Sequence, residues 1–531
     1  METKKSYRLS VYLLKKDVKN FSDALRNPLG VEEYPIKKGL GANGVIFIGR
    51  PKGNLANWVN LLQQGTTRRI GELISRSNRA LLLMKLEKRI YAVTFGFGKY
   101  LLRDGAIDRA FGLITAINMI DADKLRSLNK ANVDDFTLLT TTQSSKRAKA
   151  QEFNVDPIRD LLRGVTGEPY ADYNNVGPFV TGNEGVTIVP SITFDDIPDL
   201  LKAISKASRS RRYKARFDWV DNVRHERDPI VLEKLNEKLT SHLRRRKTDA
   251  IHLTSPVMID WENFEGYSFT PKGDLYVDFD IEKFYVEKAS SLSSLTWEKV
   301  ESRSIYLKYS EKAEPNRFRL VDFLNFQTTL DGKFYVFSFN EWFRVNQEFS
   351  QETEAYVKTV KESGLDFIDC ERSWNEETYN RELANSNEDY YLLDQKLIYS
   401  HIYKSRVEVC DVFSRKNKEF VHVKIGSRSS SLSHLFAQGR ISCNLMASDD
   451  AFRKNLRRKL KEQGLPMNIV PERQESLNTR DFTVTFAIIA DGEGDLTESL
   501  PFFSLLNLRL TISELHRLNF KVRIKKVPYA D

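Results

Sequence analysis

The order in which hydrophobic periodicity changes over residues 390–527 constrains this chain more than any other feature. Residues 390–398, 406–413 and 419–426 read as three short strands, the last two joined through a turn at 414–418. Residues 429–439 open with serines able to cap a helix and close on Gly439. A strand at 482–489, a helix at 502–518 and a last strand at 520–527 complete the order. Strand, strand, strand, helix, strand, helix, strand predicts an α/β core with a mixed sheet flanked by helices. Alternation on the second strand sets Glu408 and Cys410 on one face against Val407, Val409 and Asp411. On the third, Phe420, His422 and Lys424 oppose Val421 and Val423, and Lys424 lies a few residues from Asp411 across the ladder. Glu408 reaches the Asp411 face only where a bulge interrupts the strand.

The rest of the chain predicts an α+β multidomain protein, since 531 residues with 41% apolar side chains can build several cores. Four regions follow: an N-terminal α+β domain at 1–195, a basic helical and then β-rich middle region at 196–345, an acidic helical connector at 346–389, and the domain at 390–531. In the first, strands are expected at 7–14 and 45–48, a hairpin at 80–84 and 89–95, helices at 107–120 and 155–167, and a loop or the edge of the domain over 170–193. The middle region reads as helix over 196–247 and mostly strand over 251–339, including 275–281 and 334–339. Gly39-Leu-Gly-Ala-Asn-Gly44 has dinucleotide-loop spacing, but strand residues Val45-Ile-Phe-Ile48 follow where that motif needs a helix. It reads as a turn. Thr94-Phe-Gly-Phe-Gly98 likewise lacks the phosphate-loop ending and reads as a tight turn.

Three cysteines, Cys370, Cys410 and Cys443, form no zinc or disulfide pattern and predict a reducing, cytoplasmic setting. No apolar run approaches the ~20 residues of a membrane span, and a membrane partner is not expected. The net charge is +10. Its basic residues cluster: Arg209, Arg211 and Arg212; Arg244, Arg245 and Arg246; and Arg453, Arg457 and Lys461. Each cluster alone fits a solvated helix face, whereas three together point to nucleic acid, DNA or RNA. Arg453, Arg457 and Lys461 fall on one helical face, with Leu456 and Leu460 on another.

An acidic residue on the second strand and a lysine on the third resemble the restriction-endonuclease-like PD-(D/E)xK core. That resemblance implies Asp411 as a metal ligand, Asp394 and Glu408 as further carboxylates, and Lys424 as the catalytic lysine, with Mg²⁺ as the cofactor. His422 stands where the family carries an acid. Ser433, His434 and Gln438 on the following helix complete the candidate catalytic set. The alternative is that Glu408, Asp411, His422 and Lys424 are cross-strand pairs on a solvated hairpin.

Further phrases span the chain, among them Phe111-Gly112, Gln143-Ser-Ser145, Val165-Thr-Gly167, Leu432-Ser-His-Leu-Phe-Ala-Gln-Gly439 and Leu500-Pro-Phe-Phe-Ser504. Together they resemble a sporadically distributed bacterial family of about 500–600 residues found beside restriction and phage-defence genes. The resemblance implies a defence role and supplies no catalytic residues. The expected function is metal-dependent phosphodiester cleavage by the C-terminal domain. A non-catalytic nucleic-acid-binding or sensor subunit is the alternative. The acidic segment around Glu348–Glu388 also suits contact with other defence-system subunits.

Overall fold

The computed structural model describes residues 4–37, 41–50, 54–55, 62–68, 74–75, 78–132, 139–156, 160–248, 251–310, 315–400, 405–426, 429–491 and 494–530. The expected turn residue Gly39 lies outside them. The first region is built on ten antiparallel strands: β1 (Leu9–Leu13), β2 (Glu32–Pro35), β3 (Asn43–Gly49), β4 (Arg79–Leu86), β5 (Arg89–Gly96), β6 (Ile120–Asn132), β7 (Leu139–Ala148), β8 (Asp160–Pro169), β9 (Val180–Gly182) and β10 (Val186–Ile188). Their order in the sheet is β7-β6-β8-β9-β10-β1-β5-β4-β3-β2. The predicted hairpin is β4–β5. Its two turn residues, Glu87 and Lys88, both take positive φ, which matches the twist of the flanking strands. At the far end of β5, a Cβ on Gly98 would lie 1.9 Å from the Ala80 carbonyl, so this tight turn requires glycine.

Helix α1 (Ala110–Met119) forms where expected, and α2 (Ile197–Arg209) packs against it in the same core. The core they cover runs on to Phe217. Two expectations fail here. The expected helix at 155–167 is strand β8 where described, with Leu162, Gly164 and Val165 buried between β6 and β9. Gly164 and Gly167 are weak helix formers, and sheet pairing overrides the apolar spacing. The expected loop at 170–193 contains β9 and β10, whose small residues join the sheet's middle.

The middle region contains α3 (Pro229–Arg244) and a five-stranded antiparallel sheet. Its strands are β11 (Val223–His225), β12 (Ile251–Leu253), β16 (Leu324–Leu330), β17 (Lys333–Ser338) and β18 (Glu341–Val345). A three-stranded sheet of β13 (Phe264–Ser268), β14 (Ser304–Tyr309) and β15 (Asn316–Arg319) packs into the same core. The expected strand at 275–281 is absent from this segment. Only Tyr276 bridges Tyr267, and a short helix begins at Ile281, capped by the Asp280 side chain.

Helices α4 (Gln347–Lys358) and α5 (Glu376–Asn385) lead into the C-terminal sheet and pack in its cores through Val357, Tyr379 and Leu383. That sheet orders β19 (Tyr390–Leu392), β22 (Val412–Ser414), β23 (Glu419–Ile425), β24 (Thr483–Ile489) and β25 (Lys521–Val527). The first three pair antiparallel and the last three parallel, so the sheet is mixed as predicted. Helices α6 (Ser429–Ser448), α7 (Asp450–Glu462) and α8 (Phe502–Arg517) share one core with this sheet. Helix α6 does not stop at Gly439 as expected but runs to Ser448. A Cβ on Gly439 would come within 2.7 Å of the Phe486 ring, so the glycine serves close helix–sheet approach rather than termination. Among the described residues, no helix is long and apolar enough to cross a membrane.

Candidate metal centre

The second strand expected at 406–413 is broken in two. Residues of β21 (Ser405–Val407) pair with β20 (Ile398–Ser400) in a separate ribbon, and pairing with the main sheet resumes only at Val412. Residues 408–411 between them have no regular structure. The interruption removes the alternation that would separate Glu408 from Asp411. As a result Asp394, Glu408 and Asp411 each bring a carboxylate oxygen within 4.8 Å of the other two.

Backbone hydrogen bonds pin the cluster. The Leu393 and Asp394 amides donate to the Asp411 carbonyl at 2.8 and 2.9 Å, and the Asp411 amide donates to the Val421 carbonyl at 2.9 Å. The Val423 N–H donates to Asp411 Oδ2 at 2.7 Å, which orients this carboxylate from the neighbouring strand. Asn380 of α5 donates to Asp394 Oδ2 at 3.1 Å. Glu408 accepts from the Gln395 N–H and, at 2.8 Å, from Gln438 Nε2 of α6. Gln438 is thus brought to the site.

Burial pushes the Asp411 carboxyl well above the usual carboxylate range. The Val423 N–H pulls it down, while the negative charges of Glu408, Asp394 and Glu376 push it further up. Glu408 is raised first by burial and then by Asp394, against the Gln395 N–H. Glu408 and Asp411, close together and beside Asp394, thus resist ionising together. A hard divalent cation relieves that repulsion, and carboxylate oxygens are its preferred ligands. Asn380 Oδ1 is buried beside this group without a hydrogen-bond partner. The donor set therefore fits a metal ion: the acidic triad could hold one.

Lys424 is the last residue but one of β23, with Nζ 2.9 Å from Glu376 Oε1. Glu376 Oε2 accepts from the Ile425 N–H at 3.3 Å, so one carboxylate of the first turn of α5 clamps the end of this strand. Sequence reasoning missed Glu376. Its signal was Asn375-Glu-Glu-Thr378, a helix-start pattern in which Asn375 caps through the Thr378 N–H at 2.8 Å.

Other candidates lie elsewhere. His422 is fully buried, stacked on Phe486 with ring centroids 5.8 Å apart, and neither ring nitrogen has a partner. Burial takes its pKa down to about 3. It packs toward Gly439 of α6 and is no part of the carboxylate cluster. Ser433 accepts a hydrogen bond from Asn507 of α8 at 3.1 Å, and His434 is exposed.

The basic clusters divide similarly. Arg209 pairs with Glu87 at 2.6 Å and Arg212 with Asp172 at 2.9 Å, while Arg211 is exposed. Arg244 is tied to Glu237 and the Leu295 carbonyl, and Arg245 and Arg246 are exposed. Arg453 is a correction. Its side chain is completely buried, bonded to Asp450 and to the carbonyls of Met446 and Glu472, and faces no solvent. Arg457 donates to the Val470 carbonyl at 2.9 Å, and Lys461 is exposed.

Fold and site define an α+β multidomain protein whose C-terminal mixed sheet carries a carboxylate cluster able to hold a metal. The chain belongs to a family of unknown function, DUF6119, whose model matches residues 9–528. No curated protein and no solved structure gave a significant match.

Proposed function

We propose that the C-terminal domain is a Mg²⁺-dependent phosphodiesterase acting on nucleic acid, DNA or RNA, within a bacterial anti-phage defence system. The observation that carries this reading is the convergence of Asp394, Glu408 and Asp411 within 4.8 Å, with Lys424 next in sequence to Val423, whose N–H bonds Asp411. The order of the main-sheet strands supports it: β19, β22 and β23, with the β20–β21 ribbon inserted after β19, precede α6 and α7, then β24, α8 and β25, in keeping with the strand-strand-strand-helix-strand-helix-strand order behind the resemblance. In this reading Asp394 and Glu408 supply the carboxylates that His422 cannot. A bound Mg²⁺ would activate water and offset charge on the scissile phosphate.

The protein's own groups do the rest. Asp411, fixed through Oδ2 by the Val423 N–H, would be one of the residues holding the ion. Gln438 and the Gln395 N–H hold Glu408 in one orientation. Glu376 holds the Lys424 ammonium in one orientation, from which it could donate to a phosphate oxygen or to the attacking water. The defence role rests on sequence resemblance alone. One observation favours the second reading, a non-catalytic nucleic-acid-binding or sensor subunit: His422 occupies the acidic position of the motif as a packed, uncharged ring.

The test is single-turnover cleavage of labelled DNA and RNA with Mg²⁺ and then Mn²⁺. Lys424→Ala and Asp411→Asn should each lower the rate roughly a hundred-fold, on the order of 3 kcal/mol of transition-state stabilisation. Equal rates in all three proteins would leave the binding-subunit reading standing.

A further inference from the structure

A cavity of about 980 Å³ lies between the first sheet and the middle region, remote in sequence from the carboxylate cluster. Its wall carries eight Lys or Arg side chains against four Asp or Glu. The acids are shared. Glu184 serves both Lys99 at 2.6 Å and Arg109 at 3.2 Å, and Asp221 serves both Lys214 at 3.4 Å and Arg224 at 2.9 Å. Two cations are left over: among the described ion pairs, neither Arg163 nor Arg211 meets a carboxylate.

Arg163 is the more telling. It rises from β8, its guanidinium carbon 3.5 Å from the centre of the Phe339 ring, and among the described residues its side chain donates to the Pro256 carbonyl at 3.2 Å. Burial draws its pKa down to about 10; the Glu184 charge opposes the fall and the nearby Arg109 charge adds to it. A guanidinium held in a desolvated wall, with only the Glu184 charge that Lys99 and Arg109 already share acting on it, is costly, and its remaining N–H groups are a ready fork for phosphate oxygens. Phe318, Phe339, Phe343 and Met258 give the same cavity apolar wall for a ring system. The volume is at the upper end of small-ligand sites.

The geometry points to a phosphorylated small molecule of nucleotide size as the occupant, bound through Arg163 and Arg211 between the two regions. Arg109 already spans them, reaching Asp322 at 3.4 Å and the Phe339 carbonyl. A ligand there would bridge the same surfaces.

The test is calorimetric titration of the full chain with ATP in EDTA, with adenosine and inorganic tripolyphosphate alongside. ATP should bind at one site per chain and adenosine should not. Equal binding of tripolyphosphate assigns recognition to the phosphates alone, whereas tighter ATP binding adds the apolar wall. Arg163→Gln and Arg211→Gln should each weaken ATP about tenfold or more, and Asp411→Asn should not. Arg211 is exposed, so its variant keeps the fold if Arg163→Gln does not. No binding of ATP or tripolyphosphate, unchanged affinity in the folded arginine variants, or binding of single-stranded oligonucleotide alone would overturn the proposal. Because EDTA silences the metal centre, failure here leaves the nuclease reading untouched.

Discussion

His422 and Asp411 are both buried polar residues of the C-terminal sheet, and their surroundings give them opposite roles. Asp411 has a backbone donor and two neighbouring carboxylates. His422 has an aromatic ring and a glycine. With its pKa lowered to about 3, folded His422 refuses a proton that the unfolded chain accepts below pH about 6.5. Its contribution to stability is therefore complete above that pH and is lost as pH falls toward about 3. The slope is up to ~1.4 kcal/mol per pH unit. His422→Leu should remove that slope and add about 1 kcal/mol near neutral pH, because two unpaired buried nitrogens disappear. Urea unfolding across pH 4–8 reads both effects; an unchanged slope would mean that His422 is not the packed ring described. The site was largely legible at this scale. Asp394, Glu408, Asp411, Lys424 and Gln438 all stand out as chemistry-bearing residues near strands. Glu376 and Asn380 did not, since a helix start is a local signal that does not say which strand end it faces.

At the scale of elements, the decisive feature is the break between β21 and β22. Periodicity reads residues 406–413 as one strand because Val407, Val409 and Asp411 alternate with Glu408 and Cys410. What it cannot show is that β21 pairs with β20 instead of the main sheet. Tertiary pairing thus decides whether Glu408 joins Asp411. The same limit applies to α6, where Gly439 reads as a stop but serves contact with Phe486. Helix α7 gives the sharpest case. Its spacing places Arg453 on the polar face, yet the side chain is sunk among Met446, Asp450 and Glu472, holding α7 to the end of α6 and to the segment after it. Arg453→Met should cost about 3 kcal/mol in chemical unfolding, since two buried carbonyls lose their donor. Arg458→Met, on the exposed side, should cost little. Equal small losses would return Arg453 to the surface set.

Across the whole molecule, strand and helix order in the C-terminal region followed from sequence, but the first region's ten-stranded sheet did not. Its strands β6 to β8 are polar or glycine-bearing and separated by short segments, so their pairing carries little periodic signal. The charge map changes in the same way. Ion pairs engage Arg209, Arg212 and Arg244 and leave Arg245 and Arg246 exposed. In the nucleic-acid reading, Arg245→Ala with Arg246→Ala should lower the salt slope of duplex binding by about 0.9 for each phosphate no longer neutralised. Binding at one fixed salt should weaken without sequence bias. An unchanged slope would assign both to solvated surface. All of the proposed chemistry nevertheless depends on one property of the folded chain, the capacity of Asp394, Glu408 and Asp411 to hold a divalent cation. Calorimetric titration of the metal-free protein with Mn²⁺ measures it directly. One ion per chain should bind to the wild type and to Lys424→Ala, and none to Asp411→Asn. No binding by the wild type, or wild-type binding by Asp411→Asn, would contradict the metal centre.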